Sequence, residues 1–240
     1  MIQFYSPDIE SEKCLPADES AHCVRVLRMK EGDEIRVTDG RGSVYRCLID
    51  DPSPKGLALR IVEKDTPARQ WPFRVTLAVA PTKNADRLEW LVEKAVEIGV
   101  DRVVLLDCRR SVRRKMSTQR LKRIAVSAMN QSLKSELPEI TDLMPIGEFL
   151  KTTAGADCGK YFGYCNEAYE RIDFTRCCEA GRDVVIMIGP EGDFSDDEVK
   201  MAVEAGYLPV TFGAQRLRTE TAALYGLQGV NIINSLKQVF

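Results

Sequence analysis

The sequence predicts an α/β protein in two parts, a small β-barrel over residues 1–70 and a parallel α/β domain over residues 73–240. Three observations predict it. The first part carries short apolar and polar alternations broken by tight-turn signals, as small barrels do. The stretch Asp65-Thr66-Pro67-Ala68-Arg69-Gln70-Trp71-Pro72 has two prolines that block continuous pairing and reads as a linker. Beyond it, strand-like runs alternate with helical periodicity, the signature of a parallel sheet. With 240 residues and 44% hydrophobic composition, the chain can bury one large core, or one ordinary core plus a small satellite domain.

Taken in order, Ile35 and Val37 alternate with polar neighbours, Asp39-Gly40-Arg41-Gly42 signals a hairpin turn, and Val44 to Ile49 resumes the strand. Leu57, Leu59 and Ile61 line one face of another strand. After the linker, Val75 to Ala80 reads as a strand. Leu88, Leu91, Val92, Ala95 and Val96 then recur at helical spacing until Gly99 stops the helix. Val103-Val104-Leu105-Leu106 is a buried strand. Ser117 is placed to cap a helix whose apolar stripe is Leu121, Ile124, Ala125, Ala128, Met129 and Leu133. Strands at Tyr161–Tyr164 and Val184–Ile188 follow. Ser195-Asp196-Asp197-Glu198 is a capping box, Val210-Thr211-Phe212 a last strand, and a final helix starts near Glu220. No repeats or low-complexity tracts interrupt this order.

The net charge of −2 hides a local imbalance. Between Cys108 and Lys134 stand Arg109, Arg110, Arg113, Arg114, Lys115, Arg120, Lys122, Arg123 and Lys134 without one carboxylate. Such a run repels itself, which points to a polyanionic partner; the alternative is a solvated surface. Neutralising its arginines is expected to weaken that partner and to leave any cofactor untouched. Eight cysteines lack metal-ligand spacing and the one histidine is His22, so no metal site is expected. Seven of the eight are expected to be buried or half-buried thiols of a reducing, cytoplasmic compartment. No run reaches membrane-spanning length.

Two segments carry the chemistry. Ile188-Gly189-Pro190-Glu191-Gly192-Asp193-Phe194-Ser195 and Phe212-Gly213-Ala214-Gln215-Arg216-Leu217-Arg218-Thr219-Glu220-Thr221-Ala222 each follow a strand and open into a helix. They therefore place small and polar groups at the sheet edge where open α/β folds bind ligands. Taken alone, the first could be a plain tight turn. It is neither a P-loop nor a dinucleotide fingerprint, so a nucleoside ligand would be held without a phosphate grip, by backbone groups of small residues.

These strings resemble the bacterial 16S ribosomal RNA uridine N3-methyltransferases of the SPOUT superfamily, the RsmE family. The resemblance covers nearly the whole chain. His22-Cys23-Val24-Arg25-Val26-Leu27-Arg28, with Gly32-Asp33 and Asp39-Gly40, is similar to that family's PUA-like barrel. Lys83, Arg87, Glu93-Lys94-Ala95, Glu97 and Gly99 match its first catalytic-domain helix, and Asn130-Gln131-Ser132 with Leu137-Pro138-Glu139-Ile140 a further signature. Asp193 stands where the family usually has a second glycine, and Gln215-Arg216 replaces its more common Arg-Ile order.

The resemblance implies a trefoil-knotted parallel sheet with helices on both faces, preceded by the PUA-like barrel, working as a homodimer with S-adenosylmethionine bent in the knot. The cofactor would lie against Tyr164, Asn166, Ile188, Gly189, Pro190, Gly192, Phe212, Gly213, Leu217, Arg218, Thr219, Thr221 and Ala222, with Glu167 in the same loop. Ribosomal RNA, within the small subunit, would be the partner. Its contacts are assigned to Arg25, Arg28, Lys83, Arg87, Arg109, Arg110, Arg113, Arg114 and Lys134.

Methyl transfer to uracil N3 needs an aligned nucleophile whose proton leaves. Arg218, just before a helix, is the candidate cation for the developing uridinate, and Glu220 or Glu191 the candidate base. Alternatives at this point are an ion pair holding loops for Arg218 and compensation of the helix dipole for Glu220. Three function classes stand: an RNA methyltransferase, favoured because it uses both the loops and the basic run; a non-catalytic RNA-binding protein; and a small-molecule enzyme. Ribose 2′-O methylation is the nearest competitor within the superfamily.

Overall fold

A computed structural model of the chain describes residues 2–69, 71–114, 116–166 and 168–238. Gln70 of the linker, Lys115 of the basic run and Glu167 of the loop lie outside the described residues. The chain divides into two compact units, Met1–Arg69 with Val126–Leu137, and Gln70–Ala125 with Pro138–Phe240.

The first unit contains β1 (Gln3–Tyr5), α1 (Ile9–Glu12), α2 (Ala17–Ala21), a π-helical turn His22–Val26, then β2 (Glu34–Thr38), β3 (Val44–Asp51) and β4 (Ala58–Asp65). Its sheet runs β1-β2-β3-β4, with β1 parallel to β2 and the other pairs antiparallel. The expected alternation is realised: Ile35 faces Cys47 and Val37 faces Tyr45 across β2 and β3, and all four are buried with Phe4, Ile9, Leu15, Ile49, Leu57 and Leu59. At the hairpin, Asp39 Oδ1 accepts the N–H groups of Arg41 at 2.8 Å and Ser43 at 3.1 Å, the local bonding that makes aspartate a turn residue. Val126–Leu137 belongs to this unit through backbone groups: Gln3 donates to Lys134 O (2.7 Å), Thr38 to Ser135 O (3.0 Å), and Leu137 N–H to Gly40 O (2.9 Å).

In the same unit, burial pushes the Glu19 carboxyl up to about 7, the hydrogen bond from Asn130 Nδ2 (3.2 Å) opposing the shift only partly. A folded state that holds this proton is favoured at low pH. Its advantage is lost as pH rises from about 4.5 through 7. Glu19→Gln is therefore expected to gain stability above neutral pH and to flatten the pH dependence, as denaturant melts at pH 5 and pH 8 would read.

The second unit comprises β5 (Val75–Val79), α3 (Ala85–Ile98), β6 (Arg102–Asp107), α4 (Thr118–Gln131, its last residues from Val126 grouping with the first unit), β7 (Glu139–Ile140), β8 (Met144–Pro145) and α5 (Ile146–Thr152). It continues through β9 (Gly159–Gly163), β10 (Ile172–Asp173), α6 (Phe174–Cys177), β11 (Val184–Ile188), α7 (Asp196–Glu204), β12 (Leu208–Thr211) and α8 (Thr219–Leu236). The sheet order is β10-β12-β9-β11-β5-β6-β7, with β8 on β6, and every pair is parallel. All five residues of β11 are buried, as a strand covered on both faces requires. The helix α3 buries Leu88, Leu91, Val92, Ala95 and Val96 and ends at Gly99, whose φ of 120° only glycine adopts freely.

One apolar reading needs correction. The stripe of α4 stops before Leu133, which lies past the helix end with φ 55° and is 48% exposed. On α8, Leu227 and Val230 are buried and Ala222, Leu224 and Ile233 half-buried. Seven cysteines are buried or half-buried and Cys165 alone is exposed. Among the described residues no helix is long and apolar enough to cross a membrane.

Candidate functional site

Parallel pairing brings the C-terminal ends of β5, β6, β9, β11 and β12 to one edge of the second unit's sheet, where a cleft of about 1290 Å³ opens. The turn after β11 is its hub. Gly189 O accepts the Thr219 hydroxyl at the start of α8 (3.1 Å). Glu191 Oε1 accepts Lys83 N–H from the loop after β5 (2.8 Å). The Arg110 guanidinium, on the loop after β6, donates to Gly192 O (3.1 Å) and Phe194 O (3.0 Å). Asp193 Oδ2 accepts Cys165 N–H from the loop after β9 (3.2 Å). Each bond ties the turn to a different neighbour.

The capping box fixes where this turn ends. Ser195 Oγ accepts Glu198 N–H, and Glu198 Oε2 takes both the N–H and the hydroxyl of Ser195 (2.7 and 2.9 Å). The other oxygen of the same buried carboxylate accepts Arg109 N–H at 2.7 Å, so one glutamate holds the helix start and the arginine loop together. Ser195→Ala is expected to cost about 1–2 kcal/mol, read as a lowered Tm.

The cleft gathers most of the expected cofactor residues. Tyr164, Asn166, Ile188, Gly189, Pro190, Gly192, Phe212, Gly213, Leu217, Arg218, Thr219 and Ala222 line it, and so do Glu191, Glu220, Lys83 and Arg87. Thr221 does not; it is exposed on α8. Arg218 occupies the N-cap position of α8, exposed, and among the described residues its guanidinium has no ion pair or hydrogen bond. The reading of Arg218 as a loop-holding ion pair thus has no partner there. Arg87 instead pairs with the buried Glu220 at 3.4 Å. Gly163, Asn84, Cys165, Asp193 and Arg171 also line the cleft. Of these, only the loop that carries Cys165 and the glycine turn that carries Asp193 had a sequence signal.

Part of the basic run is compensated by its surroundings. Four of its charges meet carboxylates: Arg109 lies 3.1 Å from Asp197, Arg110 4.0 Å from Asp196, Arg114 3.8 Å from Asp107 and Arg120 2.6 Å from Glu89. Arg113 donates to Lys83 O at 3.0 Å. Arg110 also lines the cleft and braces its hub, so neutralising the arginines together cannot be expected to spare a ligand there. Arg25 and Arg28, in the first unit with Lys134, are exposed and among the described residues form no ion pair. Arg28 has φ 55°. His22 packs edge-on against Phe4, ring centroids 6.4 Å apart.

Partial desolvation raises the Tyr164 hydroxyl and, although the residue is exposed, the Cys165 thiol above their ordinary values, and the Asp193 carboxylate adds to both. Both shifts favour the protonated forms. Among the described residues no group of three or more His, Cys, Asp or Glu side chains could hold a metal ion.

Comparison with known proteins agrees with this geometry. A family profile described as an RNA methyltransferase domain matches residues 69–231, and one described as an RNA methyltransferase PUA domain matches residues 15–62. The ribosomal RNA small subunit methyltransferase E of Bacillus subtilis is 28% identical over 227 residues, covering 90% of this chain and 88% of that protein. A probable rRNA-methyltransferase from Porphyromonas gingivalis superposes with a TM-score of 0.91 at 42% identity, over 99% of this chain and 100% of that one. The methyltransferase E of Neisseria gonorrhoeae, solved bound to S-adenosyl methionine, gives 0.85 at 26% identity over 97% and 98%. With well over half of its residues inside the methyltransferase profile and the PUA profile ahead of it, the chain belongs to the RNA methyltransferase family.

Proposed function

We propose that the chain is an S-adenosylmethionine-dependent methyltransferase acting on N3 of a uridine in 16S ribosomal RNA of the small subunit, with the cofactor in the cleft at the sheet edge. The observation that carries this reading is the cleft's lining. Small residues present backbone groups, Tyr164, Ile188, Phe212 and Leu217 supply apolar walls, and Lys83, Arg87, Arg110, Arg171, Arg216 and Arg218 outnumber the carboxylates Glu191, Asp193 and Glu220. A nucleoside cofactor without phosphates suits the first two features, a polyanion the third.

The fit extends to close approach. A Cβ on Gly189 would stand 3.2 Å from the Phe194 ring, so a side chain there would crowd that wall. When bound, the cofactor supplies a methyl group on a cationic sulfonium. The Arg218 guanidinium then faces the uracil carbonyls and stabilises the charge that develops as N3 loses its proton. Glu191, exposed and with Oε2 unpartnered among the described residues, takes that proton, while Glu220, paired with Arg87, orients it. Lys83, Arg87 and the arginine loop contact RNA in the second unit; in the first unit the contacts are Lys134 together with Arg25 and Arg28 of a PUA-like domain spanning residues 1–70. The exposed pair Arg109–Asp197, 72% and 82% exposed, contributes under about 1 kcal/mol and can be exchanged for a phosphate.

Residues 73–240 would form the trefoil-knotted methyltransferase domain. The ribosomal substrate places the protein in the cytoplasm. A homodimer would cover the exposed Trp90 of α3 and Tyr225, Ile232 and Leu236 of α8, two helices that pack together. Light scattering at micromolar concentration should give the dimer mass, and a monomer mass overturns this part. Mass spectrometry of nucleosides in small-subunit RNA from a deletion strain should show one 3-methyluridine lost and restored on complementation. Loss of a ribose-methylated nucleoside instead would reassign the attacked atom.

A further inference from the structure

Among the described residues lining the cleft, Asp193 is the one non-glycine with a left-handed backbone, at φ 63°. That conformation is free for glycine and strained for a side chain, with aspartate and asparagine the best tolerated. The strain is offset by what the carboxylate does. Oδ1 accepts the N–H of Phe194 at 2.8 Å, and Oδ2 reaches to Cys165 N–H at 3.2 Å. No lysine or arginine pairs with Asp193 among the described residues, so two backbone amides answer its charge.

Without that second bond the segment after β9 would be bound less firmly to the hub. Tyr164 N–H goes to Val210 O on the other side (3.1 Å), and the Cys165 carbonyl accepts Arg171 of its own segment (3.0 Å). Tyr164, Cys165 and Asn166 all line the cleft. The bond from Asp193 therefore holds one wall of the cleft against another.

We propose that Asp193 is a positioning residue that latches the loop after β9 onto the turn after β11, setting the affinity of the cleft through loop closure and not by touching the ligand. The proposal rests on the reading that this cleft takes S-adenosylmethionine. A latch preorganises the site, and the fraction of protein in the closed form enters directly into the apparent Kd.

The test compares full-length wild type, Asp193→Gly and Asp193→Asn by thermal melting, by S-adenosylmethionine calorimetry, and by hydrogen exchange of the peptide containing Cys165. Glycine relieves the backbone strain but removes the latch. Its Tm should equal or exceed that of wild type while Kd rises about 3–10-fold, the worth of one ordinary hydrogen bond, and Cys165 exchanges faster. Asparagine keeps the backbone tolerance and an acceptor oxygen, and should bring Kd back to within about 2-fold with slow exchange. Asp193→Gly binding as wild type overturns the latch. Asp193→Asn binding as weakly as Asp193→Gly shows that the charge acts on the ligand, and Tm falling in step with affinity shows a folding role; either overturns the proposal. Wild type that fails to bind S-adenosylmethionine overturns the cofactor reading instead, and this is seen before any variant is compared.

Discussion

Arg218→Ala is expected to lower single-turnover methylation about 10²–10³-fold while leaving the Kd for S-adenosylmethionine within a few-fold of wild type. The side chain lines the cleft, is exposed, and among the described residues is committed to nothing. A cation whose partner is the charge developing on uracil acts in the transition state and hardly in the ground state, so kcat falls and binding does not. The neighbouring Arg87 provides the contrast. Its removal would leave Glu220, whose side chain is 10% exposed, without its partner, and stability would fall along with activity. If binding collapses together with rate in Arg218→Ala, Arg218 is a structural residue as well.

Gly189→Val is expected to abolish measurable cofactor binding. Its Cβ would stand 3.2 Å from two carbons of the Phe194 ring and 3.3 Å from Phe194 N, and the two methyl groups beyond it have less room still. The ring or the turn must then shift, and a shift of the turn disturbs the bonds of the hub, the Thr219 hydroxyl to Gly189 O among them. Overpacking of this kind costs about 1–3 kcal/mol, so the variant should still fold, which circular dichroism checks. Gly189→Ala carries only the Cβ contact and should fall between the two in calorimetry. Wild-type affinity in the valine variant would mean that the ligand does not approach this backbone.

The arginine loop is where charge read along the chain and charge in space part company. The stretch from Arg109 to Arg114 holds no acidic residue, yet Asp197 and Asp196 stand beside Arg109 and Arg110, Asp107 just ahead of the stretch stands beside Arg114, and the Lys83 carbonyl accepts from Arg113. The carboxylates come from β6 and α7. Sequence distance carries no information about such a pairing, because the parallel sheet brings together loops about ninety residues apart, as with Arg109 and Asp197. Arg110, exposed as expected, also braces the cleft.

By itself the sequence determined the elements whose pattern is long enough to be read. The periodic face of α3 and the apolar run of β11 are patterns along the chain, and the hairpin at Asp39 and the capping box at Ser195 rest on interactions within a few residues; sequence spacing encodes both directly. It also singled out the two segments that line the cleft, through their small residues and their place after strands. Only the tertiary structure decided the rest. The three-residue β1 and the two-residue strands β7, β8 and β10 are too short to show a period and exist because a neighbour offers an edge. The helix α5 starts at a proline cap and shows its apolar face only once Ile146, Phe149 and Leu150 meet the core. The bonds that make the turn at Gly189–Asp193 a hub run to loops from four other strands. Their partners are set by strand order, a property of the folded sheet that no local pattern contains.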